Sequence, residues 1–117
     1  MIELRSGDLL EADVEALVNA VNCVGVMGRG IALQFRRAFP ENYREYKTVC
    51  DRKELRPGML FVHELGSAGN PRYIVNFPTK IHWKGRSELL FIDAGLMRIE
   101  DAFRDMPEVR VLLFEPV

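Results

Sequence analysis

Residues 16 to 35 read A-L-V-N-A-V-N-C-V-G-V-M-G-R-G-I-A-L-Q-F. An apolar run of β type, Ala16 to Val21, leads into a turn with glycines at 25, 28 and 30, and a helical pattern of Ile31, Ala32, Leu33 and Phe35 opens straight after it. The stretch therefore predicts a strand, a glycine loop and a helix N-terminus in succession. Such a junction suits an anion. Glycine lets the backbone approach a ligand closely, and the first-turn amides of a helix lack internal partners and carry partial positive charge. Phosphate is the usual guest. The P-loop lysine is absent and G-x-x-G-x-G is not the dinucleotide fingerprint, so neither common nucleotide motif fits. The pair Asn19 and Asn22, at and just past the strand end, distinguishes the loop. Each carboxamide offers donors and an acceptor, which suits sugar hydroxyls. Taken alone, the pair serves equally well to satisfy loop backbone.

Working outward, 117 residues bound one core, and residues 1–117 are read as a single domain. The chain is 48% hydrophobic and 28% charged, the balance of an ordinary globular protein. No apolar run approaches the ~18 residues that span a bilayer, and the start, M-I-E-L-R-S-G-D, has no signal-peptide stretch. These features point away from the membrane and to the cytoplasm. Sixteen basic and seventeen acidic side chains leave a net charge of −1, so the global field does not draw in a polyanion, and a nucleic acid would need a local patch. Lys84 and Arg86, with Lys80, form the compact basic cluster that would suit a short single-stranded DNA backbone. Cys23 and Cys50 lack metal-ligand spacing and make no disulfide framework. Neither a metal nor a cofactor is implied.

Ile2 and Leu4 read as a short edge strand, and Ala12 to Glu15 as a polar linker. Ile31 to Ala38 forms one helix stopped by Pro40, and Glu41 to Arg52 a second with an acidic start. Phe35, Phe39, Tyr43 and Tyr46 fall at helical spacings, which assigns them to packing. Met59 to Leu65 alternates as a strand, Gly66 to Pro71 is a hairpin-type loop, and Tyr73 to Phe77 is a buried strand. Leu89, Ile92, Leu96, Ile99, Phe103 and Met106 recur every three or four residues, so Ser87 to Met106 reads as one amphipathic helix with Ser87 as its N-cap. Pro107 ends it, and Val109 to Phe114 is the last strand.

Four segments together resemble a macrodomain: G-D-L at 7 to 9, V-N-A-V-N at 18 to 22, G-V-M-G-R-G-I-A at 25 to 32, and N-F-P-T-K-I-H-W at 76 to 83. The last two are specific to one branch, which contains the DNA ADP-ribosyl glycohydrolase antitoxins of the DarG type and the terminal ADP-ribose protein glycohydrolases. The likeness runs from Met1 to about Leu96 and again from Val109 to Pro116. It implies an α/β fold, a three-layer sandwich with a mixed sheet of about five strands flanked by helices.

The resemblance also implies a site. Adenine would rest near Asp8 and Leu9, with the Asp8 carboxylate taking a hydrogen bond from the adenine amino group. The diphosphate would lie along Gly25, Val26, Met27, Gly28, Arg29, Gly30 and Ile31. The distal ribose would sit between Asn22 and Lys80, and Asn19 and Thr79 are counted with Asn22 among the ligand-binding residues. In this branch the lysine of F-P-T-K is the leading candidate for the nucleophile that attacks the anomeric carbon, and an amine must be neutral to attack. His82 could shuttle a proton or bind a phosphate. Trp83 could stack on a nucleobase or simply pack. The implied activity is removal of ADP-ribose from nucleobases of single-stranded DNA, or from a carboxylate. The implied partners are ADP-ribose, ADP-ribosylated single-stranded DNA and a cognate ADP-ribosyltransferase toxin.

The sequence departs from the family over Ser87 to Met106. There the resembled domains hold another central strand and a second glycine-rich loop that wraps the diphosphate. Roughly thirty to forty residues of such a strand-loop-helix unit are missing. One consequence is a compact rearranged domain, with the last strand moved in beside the central one through a right-handed helical crossover. The alternatives are a unit swapped in from another chain, or a fragment or edited version of a longer domain. Function divides likewise among an enzyme, a binding or regulatory module without turnover, and a structural remnant without a ligand.

Overall fold

The computed structural model describes residues 2–5, 10, 12–28, 30–66, 68–81 and 89–114. In chain order the elements are β1 (Ile2–Arg5), β2 (Ala16–Val21), α1 (Gly30–Ala38), α2 (Pro40–Asp51), β3 (Phe61–Glu64), β4 (Tyr73–Pro78), α3 (Leu89–Ala102) and β5 (Val111–Phe114). The strands form one sheet in the order β1-β5-β2-β4-β3. All neighbours are parallel except the β3–β4 hairpin.

The side-chain alternation of the strands sorts the core into two faces. Ala16 and Val18 of β2, Val75 and Phe77 of β4, and Val111 of β5 face α3, where they meet Ile99 and Phe103. Leu17, Ile74 and Leu112 face the other way and pack against Phe35 of α1. Further along that face, Val21 and Met27 meet Tyr46 and Cys50 of α2. Helices thus cover both faces of a mostly parallel sheet, as parallel pairing requires.

The last strand lies between β1 and β2, beside the central strand, after a crossover through α3. Side chains lock that placement. Arg110, just before β5, forks onto Glu15, just before β2: Nε donates to Oε1 at 3.0 Å and an Nη donates to Oε2 at 2.8 Å. The Arg110 amide also donates to Oε1 at 2.7 Å. Asn70 adds a donor to Oε2 at 3.0 Å. The Arg110 side-chain hydrogen bond, outweighing the cost of burial, lowers the Glu15 carboxyl to about 2.

Two boundaries differ from the pattern for local reasons. Pro40 does not merely end the first helix; it opens the second at its first turn, where its missing N–H has no helical partner to lose. The third helix runs from Leu89 to Ala102 and then loosens into turns before Pro107. The expected cap, Ser87, lies outside the described residues. Gly95 of α3 sits on Phe77, and a Cβ there would come within 2.3 Å of the buried ring. Only glycine lets the helix approach β4 so closely.

Candidate functional site

At the C-terminal ends of β2 and β4 the pairing outlasts the strands. The Thr79 amide donates to the Val21 carbonyl at 3.0 Å, and the Cys23 amide donates to the Ile81 carbonyl at 2.8 Å. The loop after β2 and the segment after β4 therefore leave the sheet side by side. Between them and the start of α1 lies a cleft of about 460 Å³. Asn22, Val26, Gly28, Gly30, Ile31, Thr79 and Lys80 line it, over a floor that includes Ala20 and Val21. Open α/β sheets bind ligands at this end of their strands.

The start of α1 supplies the polar character of one wall. Gly30, Ile31 and Ala32 all line the cleft, and the amides of a first helical turn have no intrahelical acceptors. No acidic residue stands in that turn to compete with an anion, while Arg36 and Arg37 occupy the last turn and complement the helix dipole. The opposite wall carries Thr79, which is buried, and Lys80, which is half-buried.

The loop between is shaped from beneath by α2. Gly25 adopts φ 85°, and a Cβ there would touch Lys47 and Cys50 of the helix at 3.4 and 3.5 Å, so this position turns the chain against α2 rather than into the cleft. The Tyr43 hydroxyl donates to the Gly25 carbonyl at 3.3 Å. The Tyr46 hydroxyl lies 2.8 Å from both the carbonyl and the side-chain Oδ1 of Asn22. Asn22 in turn closes its own turn: Oδ1 accepts from the Val24 and Val26 amides at 3.1 and 3.3 Å, and Nδ2 donates to the Val26 carbonyl at 2.8 Å.

Behind the loop runs a buried chain of carboxamides. Asn42 of α2 and Asn76 of β4 exchange hydrogen bonds at 2.8 and 3.3 Å, and Asn76 also donates to the Phe61 carbonyl at 3.1 Å. Asn19 of β2 donates to Asn76 at 3.5 Å and approaches the Met27 sulfur at 3.7 Å. Its Oδ1 is buried without a partner among the described residues.

The residues expected at the site thus divide by position. Asn22, Val26, Gly28, Gly30, Ile31, Thr79 and Lys80 converge on one cleft. Asn19, Gly25 and Met27 lie behind it, buried, and act on the loop rather than on its open side. Asp8, Leu9, Arg29, His82 and Trp83 lie outside the described residues. Cys23 is half-buried; burial, and then the nearby Cys50 thiol, push it up to about 11, which makes it a poor nucleophile. Helical spacing assigns Tyr43 and Tyr46 to packing, yet their hydroxyls hold the ligand loop. A tyrosine at a packing position where phenylalanine would serve is the signal that marks them.

The family model for the Macro domain matches residues 18–104. This chain belongs to the macrodomain family. The macrodomain is 53% identical over 106 residues, 91% of its length, to a DNA ADP-ribosyl glycohydrolase of Mycobacterium tuberculosis. It is 50% identical over 111 residues, 95% of its length, to a protein of the same name from Thermus aquaticus. In each case it spans only 30% of the relative's length. Among solved structures, the macrodomain of Mycobacterium tuberculosis DarG superposes with a TM-score of 0.83 at 41% identity, covering 100% of this chain and 99% of that one.

Proposed function

We propose that this chain is a single ADP-ribose-binding macrodomain that removes ADP-ribose from nucleobases of single-stranded DNA. The observation that carries the reading is the convergence of Asn22, the amide-rich start of α1 and Lys80 on one cleft at the ends of β2 and β4. The relatives' names supply the acceptor, DNA. The diphosphate would lie against the Gly28 to Ile31 backbone, where helix-terminal amides receive anions. The distal ribose would reach Asn22 and Lys80. The Lys80 amine would then form a bond to the anomeric carbon as the bond to the nucleobase breaks, and the proton lost from the alkylated amine would pass to the departing base. Water would cleave the lysine–ribose bond and release ADP-ribose.

Among the described residues no helix is long and apolar enough to cross a membrane. We place the protein in the cytoplasm, alongside a cognate ADP-ribosyltransferase toxin whose modification it reverses. Release of ADP-ribose from modified single-stranded DNA by the wild type, and not by Lys80→Ala, tests the reading. Equal release by both variants overturns the role of Lys80.

One observation favours a second reading, a binding or regulatory module without turnover. From residue 87 to the end of the sequence there is a single glycine, Gly95, inside α3. Residues 103–117 contain no glycine, so they supply no second glycine-rich loop to wrap the diphosphate. Each charge-assisted hydrogen bond lost in this way is worth about 1.5 to 3 kcal/mol. Calorimetry with ADP-ribose, run beside the release assay, separates binding without turnover from both the enzyme and a ligand-free remnant.

A further inference from the structure

The Asn22 carboxamide has a fixed polarity. Its Oδ1 faces two backbone amides, of Val24 and Val26, and its Nδ2 faces a backbone carbonyl, of Val26. Backbone groups cannot exchange donor for acceptor, so the orientation of this amide is set by its partners. The Tyr46 hydroxyl, 2.8 Å from both Oδ1 and the Asn22 carbonyl, shares its single proton between these two acceptors of the same residue. The acceptor end is thereby filled from the protein side. Nδ2 carries two N–H groups and spends one on Val26. The other has no partner among the described residues, on a residue that is 4% exposed and lines the cleft.

We propose that Tyr46 is a positioning residue for the cleft: together with the Val24 and Val26 amides it locks the Asn22 carboxamide so that only an N–H donor faces the ligand. This subsite then selects an acceptor oxygen, such as a ribose hydroxyl oxygen. The inference rests on the proposed ADP-ribose reading for the identity of the ligand, though not for the clamp itself.

Tyr46 suits the task because it cannot swing away. It is fully buried and packs among Val21, Met27, Cys50 and Leu55, and its ring lies 6.3 Å from that of Tyr43. Its hydroxyl reaches the loop from the second turn of α2, so the loop's conformation is tied to the helix before any ligand arrives. Preorganised groups of this kind lower the cost of binding. Tyr46 acts through Asn22 and does not itself line the cleft.

Calorimetric titration of wild type, Tyr46→Phe, Asn22→Ala and the double variant with ADP-ribose and with ADP tests the assignment. ADP lacks the distal ribose and reports the rest of the cleft. Tyr46→Phe should weaken ADP-ribose by about 3- to 10-fold, the worth of one hydrogen bond, while changing ADP less than about twofold. In the Asn22→Ala background the same substitution should cost at least about threefold less, since coupled residues are non-additive. Equal losses for both ligands, or equal losses in both backgrounds, overturn the proposal. Hydrogen exchange at the Val24 and Val26 amides reads the clamp without ligand and without a variant. Slow exchange in the wild type supports it, and exchange at the rate of an open loop overturns it. If the wild type fails to bind ADP-ribose, the functional reading falls, and exchange alone decides the clamp.

Discussion

The two faces of the sheet are built from different materials. The face under α3 is apolar: Ala16, Val18, Val75, Phe77 and Val111 meet Ile99 and Phe103. The face under α1 and α2 mixes apolar packing with buried polar groups, namely Asn19, Asn42, Asn76 and His63, the last bonded to Glu45 of α2 at 2.5 Å. Among the described residues there are also two hollows of about 460 Å³ each. The one by α3 is bordered by Met59, Leu60, Val62, Arg98, Asp101 and Ala102, beside the edge strand. The other lies where parallel strands end and a helix begins. Equal volume with unequal walls shows that the chemistry of the cleft comes from topology and from the buried amides that hold its loop, not from space alone.

The largest effect should separate the hollows outright. Lys80→Ala should lower release of ADP-ribose from modified single-stranded DNA by about 10³-fold or more, as loss of a nucleophile does. Retained release would break the comparison. Next, Asn76→Ala should cost about 3 kcal/mol, because it strands both ends of Asn42 and the Phe61 carbonyl in a buried site. Denaturant unfolding measures the loss, and ADP-ribose affinity should fall with it because the network underlies the loop. On the other face, Gly95→Ala should cost about 2 kcal/mol through overpacking against Phe77, with affinity unchanged; an affinity loss would show that the faces are not independent.

The Glu15–Arg110 fork predicts a smaller, pH-dependent effect. Glu15 has a folded-state value near 2 against 4.5 for the free side chain. Its contribution is therefore complete above about pH 4.5 and is lost as pH falls toward 2. Acid unfolding of Glu15→Gln should lack that component of the slope. Smallest of all, Val62→Lys, at the rim of the α3-side hollow, should change ADP-ribose affinity by less than twofold and stability within about 0.5 kcal/mol.

Much of this was legible in the chain. The run Ala16 to Val21 forms β2 with the bounds its pattern gives, and the helix opens one residue before Ile31. Those features depend on neighbours in sequence, which periodicity records. The split among the candidate loop residues was not legible: Val26 and Gly28 line the cleft, whereas Gly25 and Met27 turn toward α2. Loop residues have no period, so their direction follows from partners far away in the chain. Asn42 and Asn76 show the same limit, since they pair across 34 positions.

By itself the sequence determined the elements, the family and the likeness that singles out Lys80, because these rest on local periodicity and on short motifs. Only the tertiary structure decided that β5 lies beside β2, that Glu15 and Arg110 fasten it there, and that Tyr46 reaches Asn22. Strand order and side-chain partnership are settled by which buried groups can satisfy one another in three dimensions, and linear spacing carries no record of that.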